Sequence, residues 1–84
     1  MERVVWYHGG DLEHGKPKGS YLYVTDNPKL AKAHAIEDNG KVYRLRPEHD
    51  HLVMDHPKGL GMKVISQAEL KRLGGVAIVF QEVT

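Results

Sequence analysis

Cysteine is absent from the 84-residue chain. That excludes a disulfide-stapled scaffold and a thiolate metal site, and it matches what a reducing cytoplasm asks of a protein. No apolar run approaches the ~20 residues of a membrane span, so no membrane partner is expected. Met1-Glu2-Arg3 carries no leader pattern, so no secretory signal is expected either. Charge of one sign is not in excess: 12 Lys+Arg stand against 11 Asp+Glu. A general nucleic-acid binder is usually more basic. Only convergence of Lys16, Lys18, Arg44, Arg46 and Lys58 would make even a local basic patch. There is no internal repeat, low-complexity tract or linker. There is also no phosphate-binding loop of the P-loop type, because the segment GLGMK at 59–63 has no matching strand before it and reads as a turn. With no thiol, and with Ser20 and Ser66 explained as strand-start and helix-cap residues, nucleophilic catalysis by cysteine or serine is set aside.

What remains fits one small domain spanning 1–84. A chain of this size buries roughly 60% of its unfolded surface, enough for one sheet with a helix or two. Residues 3–7 are β-branched and aromatic and read as a strand. Residues 9–19, rich in glycine, read as a loop. Ser20 to Thr25 is a second strand whose alternation puts Leu22 and Val24 on one face and Tyr21 and Tyr23 on the other. The period then changes. Asp26 or Asn27 can cap a helix with Pro28 at its first position. Leu30, Ala33, His34 and Ile36 fall on one side of it, and Asn39-Gly40 ends it with a left-handed residue.

Lys41 to Arg46 alternates as a third strand, with Val42, Tyr43 and Leu45 supplying its buried positions, and Pro47 stops it. Residues 51–54 read as a short fourth strand and 56–61 as a loop. Ser66-Gln67-Ala68-Glu69 has the form of a capping box and opens a helix through Leu70 and Leu73 that Gly74-Gly75 ends. Val76 to Val83 is the last and most apolar strand. The expected order is β-β-α-β-β-α-β, an α+β domain with two short helices.

Within that order the stretch WYHGG, Trp6 to Gly10, stands out. An apolar strand runs straight into a histidine followed by two glycines. Either His8 is an ordinary strand-end residue, or the backbone is cleared so that a ligand can reach it. His49, Asp50, His51, Asp55 and His56 invite a metal reading, but their spacing matches no compact zinc pattern and a solvated loop explains them better.

YHGG, a glycine-bearing loop, GSYLYVTDNPKLAKAHA and then GKVYRLR together resemble the ADP-ribosyltransferases of the histidine–tyrosine–glutamate type. That family includes the poly-ADP-ribose polymerases and many small bacterial and phage transferases. The resemblance covers about the first 50 residues well and the rest loosely. It implies a reduced ADP-ribosyltransferase-like sheet and NAD as the substrate. His8 would bond the ribose hydroxyls, Gly9 would offer its N–H and C=O to the nicotinamide carboxamide, and Tyr23 would stack on the ring. His34 falls where many members carry a second aromatic. The transfer step asks for a carboxylate at the ribose, and the late-strand candidate is Glu82. In longer members a strand like GVAIVF precedes the catalytic strand, so the chain departs from the pattern there.

Two functions of different class follow. One is a compact toxin- or phage-type transferase moving ADP-ribose from NAD to a protein or nucleic-acid acceptor. The other is a catalytically inactive, host-directed protein-binding module on the same scaffold, such as a phage-encoded inhibitor of a defence system of the anti-CRISPR type. An RNA 2′-phosphotransferase is a distant third, since it asks for a second histidine and paired arginines at positions not filled here.

Overall fold

A computed structural model of the chain describes residues 4–10, 12, 20–59 and 61–83. Lys16 and Lys18 of the basic-patch expectation, and most of the expected 9–19 loop, lie outside the described residues. Ten elements follow one another among the described residues. They are β1 (Tyr7–Gly10), β2 (Tyr21–Val24), α1 (Pro28–Glu37), β3 (Lys41–Leu45), a 3-10 helix (Pro47–Leu52), β4 (Met54–Asp55), β5 (Lys63–Ser66), α2 (Gln67–Arg72), α3 (Val76–Val79) and β6 (Phe80–Glu82). The fold is a small α+β arrangement of two antiparallel three-stranded sheets, ordered β1-β3-β6 and β2-β5-β4. No helix among the described residues is long and apolar enough to cross a membrane.

The two sheets share one apolar cluster. Leu22 and Val24 of β2 and Ile65 of β5 meet Tyr43 and Leu45 of β3, Phe80 of β6, and Leu70 and Val79 of the short helices. Leu45 and Ile65 are fully buried, each contributing about 1.5–3 kcal/mol of transfer free energy. The alternation read in SYLYVT is met: Leu22 and Val24 are buried, and Tyr21 and Tyr23 are not.

Several expectations are corrected. The first strand is Tyr7–Gly10 rather than 3–7, so both glycines are paired, Gly9 opposite Val42 and Gly10 opposite Lys41. Strand propensity favoured Val4-Val5, but the ladder to β3 runs over Tyr7–Gly10, where α1 approaches the backbone of Gly9. Helix α1 begins as expected, with Asn27 Oδ1 accepting from the amides of Lys29 (3.0 Å) and Leu30 (3.4 Å). It turns a different face inward. Ala31 and Ala35 are buried, while Leu30 is 47% and Ile36 72% exposed. The small residues win because they alone let the helix come close to Gly9. Asn39, at φ 52°, supplies the left-handed residue beyond the helix.

Of the expected strand at 51–54, His51 and Leu52 close the 3-10 helix, and β4 is only Met54–Asp55. Pro47, expected to stop a strand, also starts that helix at its first position. Strand β5 is absent from the expected order, yet Val64 and Ile65 in it are fully buried and it is central to its sheet. The capping box does not form. Ser66 makes no side-chain cap bond, and Glu69 instead takes the Arg72 guanidinium at 2.7 Å. The run from Val76 is helical to Val79 and extended only over Phe80–Glu82. An apolar run of that length has no period to separate the two conformations.

Candidate functional site

The site is built by the way β1 and β2 part company. Leu45 N donates to Trp6 O at 2.9 Å, so Trp6, His8 and Gly10 turn their main-chain groups to β3. Tyr7 turns the other way and exchanges both bonds with Thr25, at 2.7 and 2.9 Å. Gly9, the next residue of that parity, directs its N–H and C=O to the same side as Tyr7, where Tyr23 would stand opposite it. The pairing stops there. Among the described residues Gly9 makes no main-chain bond on that side. Tyr23 O is taken instead by His8 Nδ1, at 2.7 Å.

That bond assigns the tautomer. A carbonyl oxygen only accepts, so His8 Nδ1 carries the proton and Nε2 presents a lone pair while the ring is neutral. Burial holds the His8 pKa below the usual imidazole value. The bond to Tyr23 and the Asp38 carboxylate oppose that shift, and His34 adds to it.

Above the fork, α1 lies close over β1. A methyl at Gly9 would fall 1.7 Å from Ala31 O and 3.0 Å from Ala35 N. The first glycine of WYHGG is therefore required by helix packing, whatever else it does. Between α1, the fork and the chain leading into β5 lies an open cleft of about 580 Å³, within the range of small-molecule sites. His8, Gly9, Tyr23 and His34 all line it.

The Tyr23 ring is half exposed, and its plane is set by His56. The two rings lie 6.0 Å apart and 5° from parallel, an offset stack. Tyr21 meets the same imidazole at 5.4 Å in a tilted arrangement. His56 is itself fixed, its Nδ1 accepting from Lys58 N at 3.0 Å. His34 is exposed on α1, with Nδ1 3.8 Å from Glu37. From the β5 side the cleft receives Met62 and Lys63, the latter ion-paired with Asp55.

Glu82 is not brought to this cleft. It sits on β6, at the edge of the β1-β3-β6 sheet away from β1, opposite Tyr43, with Oε1 3.4 Å from Lys41 Nζ. It lines a separate hollow of about 220 Å³ with Phe80 and Arg46. The reason is topological: β3 lies between β6 and β1. The carboxylates that do line the cleft are Asp26, expected only as a helix-cap candidate, and Asp38, which no sequence motif singled out. An acid at the C-terminal end of a helix, where the dipole disfavours it, was the available signal for Asp38. Among the described residues no three His, Asp or Glu side chains are grouped to hold a metal; His56 goes to the tyrosines and Asp55 to Lys63.

No family model, curated protein or solved structure matches the chain.

Proposed function

We propose that the cleft binds the nicotinamide–ribose end of NAD, on an ADP-ribosyltransferase-like scaffold. The observation that carries this reading is the main-chain edge of Gly9, turned into the fork in the cleft that Tyr23 also lines. A carboxamide offers one donor and one acceptor in a plane, and a strand edge with a vacant N–H and C=O is their complement. Tyr23, held by His56 on one face, is a platform for a flat heterocycle. His8 Nε2 is an acceptor suited to a sugar hydroxyl.

Transfer of ADP-ribose to a protein or nucleic-acid acceptor asks for a carboxylate at the ribose. Glu82 lies in the other hollow, so transfer assisted by Glu82 is no part of this reading. The test is titration of the isotope-labelled protein with NAD, followed by amide chemical shifts. Shifts centred on Gly9, Tyr23 and Ala31 are expected, and they are lost in Tyr23→Ala. No shift at millimolar NAD would end the reading and leave the protein-binding module as the account of the scaffold.

A further inference from the structure

Asp38 and His8 form a pair whose position says what part of a ligand they hold. Asp38 closes α1, its N–H bonded to His34 O at 3.1 Å, and its side chain lines the cleft. Its carboxylate has no hydrogen bond or ion pair among the described residues. A methyl built on Gly10 would sit 3.1 Å from His8 Nε2 and 3.3 Å from Asp38 Oδ2. Both acceptors thus stand beside the Gly10 Cα, and the second glycine of WYHGG leaves no side chain to crowd them. Gly9 admits the helix and Gly10 leaves the helix's last carboxylate facing the imidazole.

We propose that His8 Nε2 and Asp38 Oδ2 together bind the vicinal hydroxyls of a ribose, with Asp38 as the cleft's working carboxylate in place of Glu82. The proposal rests on the NAD reading above and specifies which part of NAD this corner takes. Its chemistry follows from the donor count. A neutral imidazole nitrogen with its other nitrogen committed to Tyr23 only accepts, and an ionised carboxylate only accepts. Two acceptors on neighbouring side chains that line one cleft suit two donors on neighbouring atoms, which a cis-diol supplies. Neither a phosphate nor a second carboxylate fits, since each would bring further acceptors. Asp38 is exposed and at a helix end, so the isosteric change Asp38→Asn leaves the fold in place.

The experiment is a calorimetric cycle using NAD and an NAD analogue whose nicotinamide-side ribose lacks both hydroxyls, each titrated into wild type and Asp38→Asn. Removing the hydroxyls is expected to weaken binding to wild type about tenfold or more, as loss of a hydrogen bond to a charged group does. The same removal is expected to cost Asp38→Asn several-fold less than it costs wild type, because the carboxylate's share is already gone and only the bond to His8 remains to be lost. An equal loss in both proteins overturns the role of Asp38 while leaving NAD binding intact. Failure of wild type to bind NAD at all overturns both proposals.

Discussion

His8 Nδ1 stands 2.7 Å from the main-chain oxygen of Tyr23, across the point where β1 and β2 stop pairing. The imidazole takes the carbonyl that the Gly9 amide would otherwise face. The bond holds the fork open with a side chain, and it turns Nε2 toward the cleft. The two residues singled out for a shared pocket are therefore joined ring to backbone, with the Tyr23 ring left for His56 and for the cleft.

Acid should weaken the fold through His8. Its pKa is held below the usual value chiefly by burial. The unfolded chain therefore binds a proton that the folded chain resists. This contribution to stability is intact above the unfolded value of about 6.5, and it is lost progressively as pH falls from there through the folded value. Urea midpoints between pH 7.5 and pH 5 should fall more for wild type than for His8→Asn, which keeps a donor for Tyr23 O and does not titrate. Equal falls would mean the imidazole is not the responsible group.

Gly9→Ala should be among the most damaging single changes. The added carbon meets the main-chain oxygen of Ala31, not a side chain that can swing away. A cost of about 3 kcal/mol or more is expected, at or above the upper end for overpacking. Adding Ala31→Gly should not restore stability, because the clash is with backbone. Urea unfolding of the single and double variants measures both.

The two helix starts should respond differently. Asn27→Ala removes an oxygen that accepts from two amides and should cost about 1 kcal/mol. Ser66→Ala removes no side-chain cap bond and should change stability by only about 0.5 kcal/mol or less. Comparable losses by thermal melting would mean that Ser66 caps α2 after all.

Glu82→Gln should leave NAD affinity unchanged. It should alter stability by less than about 1 kcal/mol, since Glu82 and its partner Lys41 are both substantially exposed. His56→Ala should do the reverse. It releases the Tyr23 ring from its stack and should weaken NAD binding several-fold, by up to about 1.5 kcal/mol, with little effect on the fold. A calorimetric comparison of the two variants separates the two hollows.

Local chemistry was readable residue by residue. Asn27 and Pro28 mark the start of α1 because a side-chain oxygen and a missing N–H act within one turn. Asn39 marks its end because few residues accept a positive φ. The burial of Leu22 and Val24 followed from alternation alone. Strand β5 was hidden because Lys63–Ser66 is too short to show a period and its last residue also looked like a cap. Glu82 was placed by its position late in the chain, which says nothing about which strand neighbours which.

By itself the sequence determined the α+β class, the bounds of α1, the inward and outward faces of β2, and a histidine followed by two glycines where the first apolar stretch ends; that these three are paired in β1 it did not. Those are short-range matters, settled by sterics and hydrogen bonds within a few residues. The tertiary structure alone decided that Ala31 and Ala35, not Leu30 and Ile36, face the sheet, that Glu82 lies across β3 from the fork, and that Asp38 comes to His8 over Gly10. Each of these depends on how closely two distant segments approach. That distance is set at β1 by the missing side chain of Gly9, and its consequence appears on a helix more than twenty residues away.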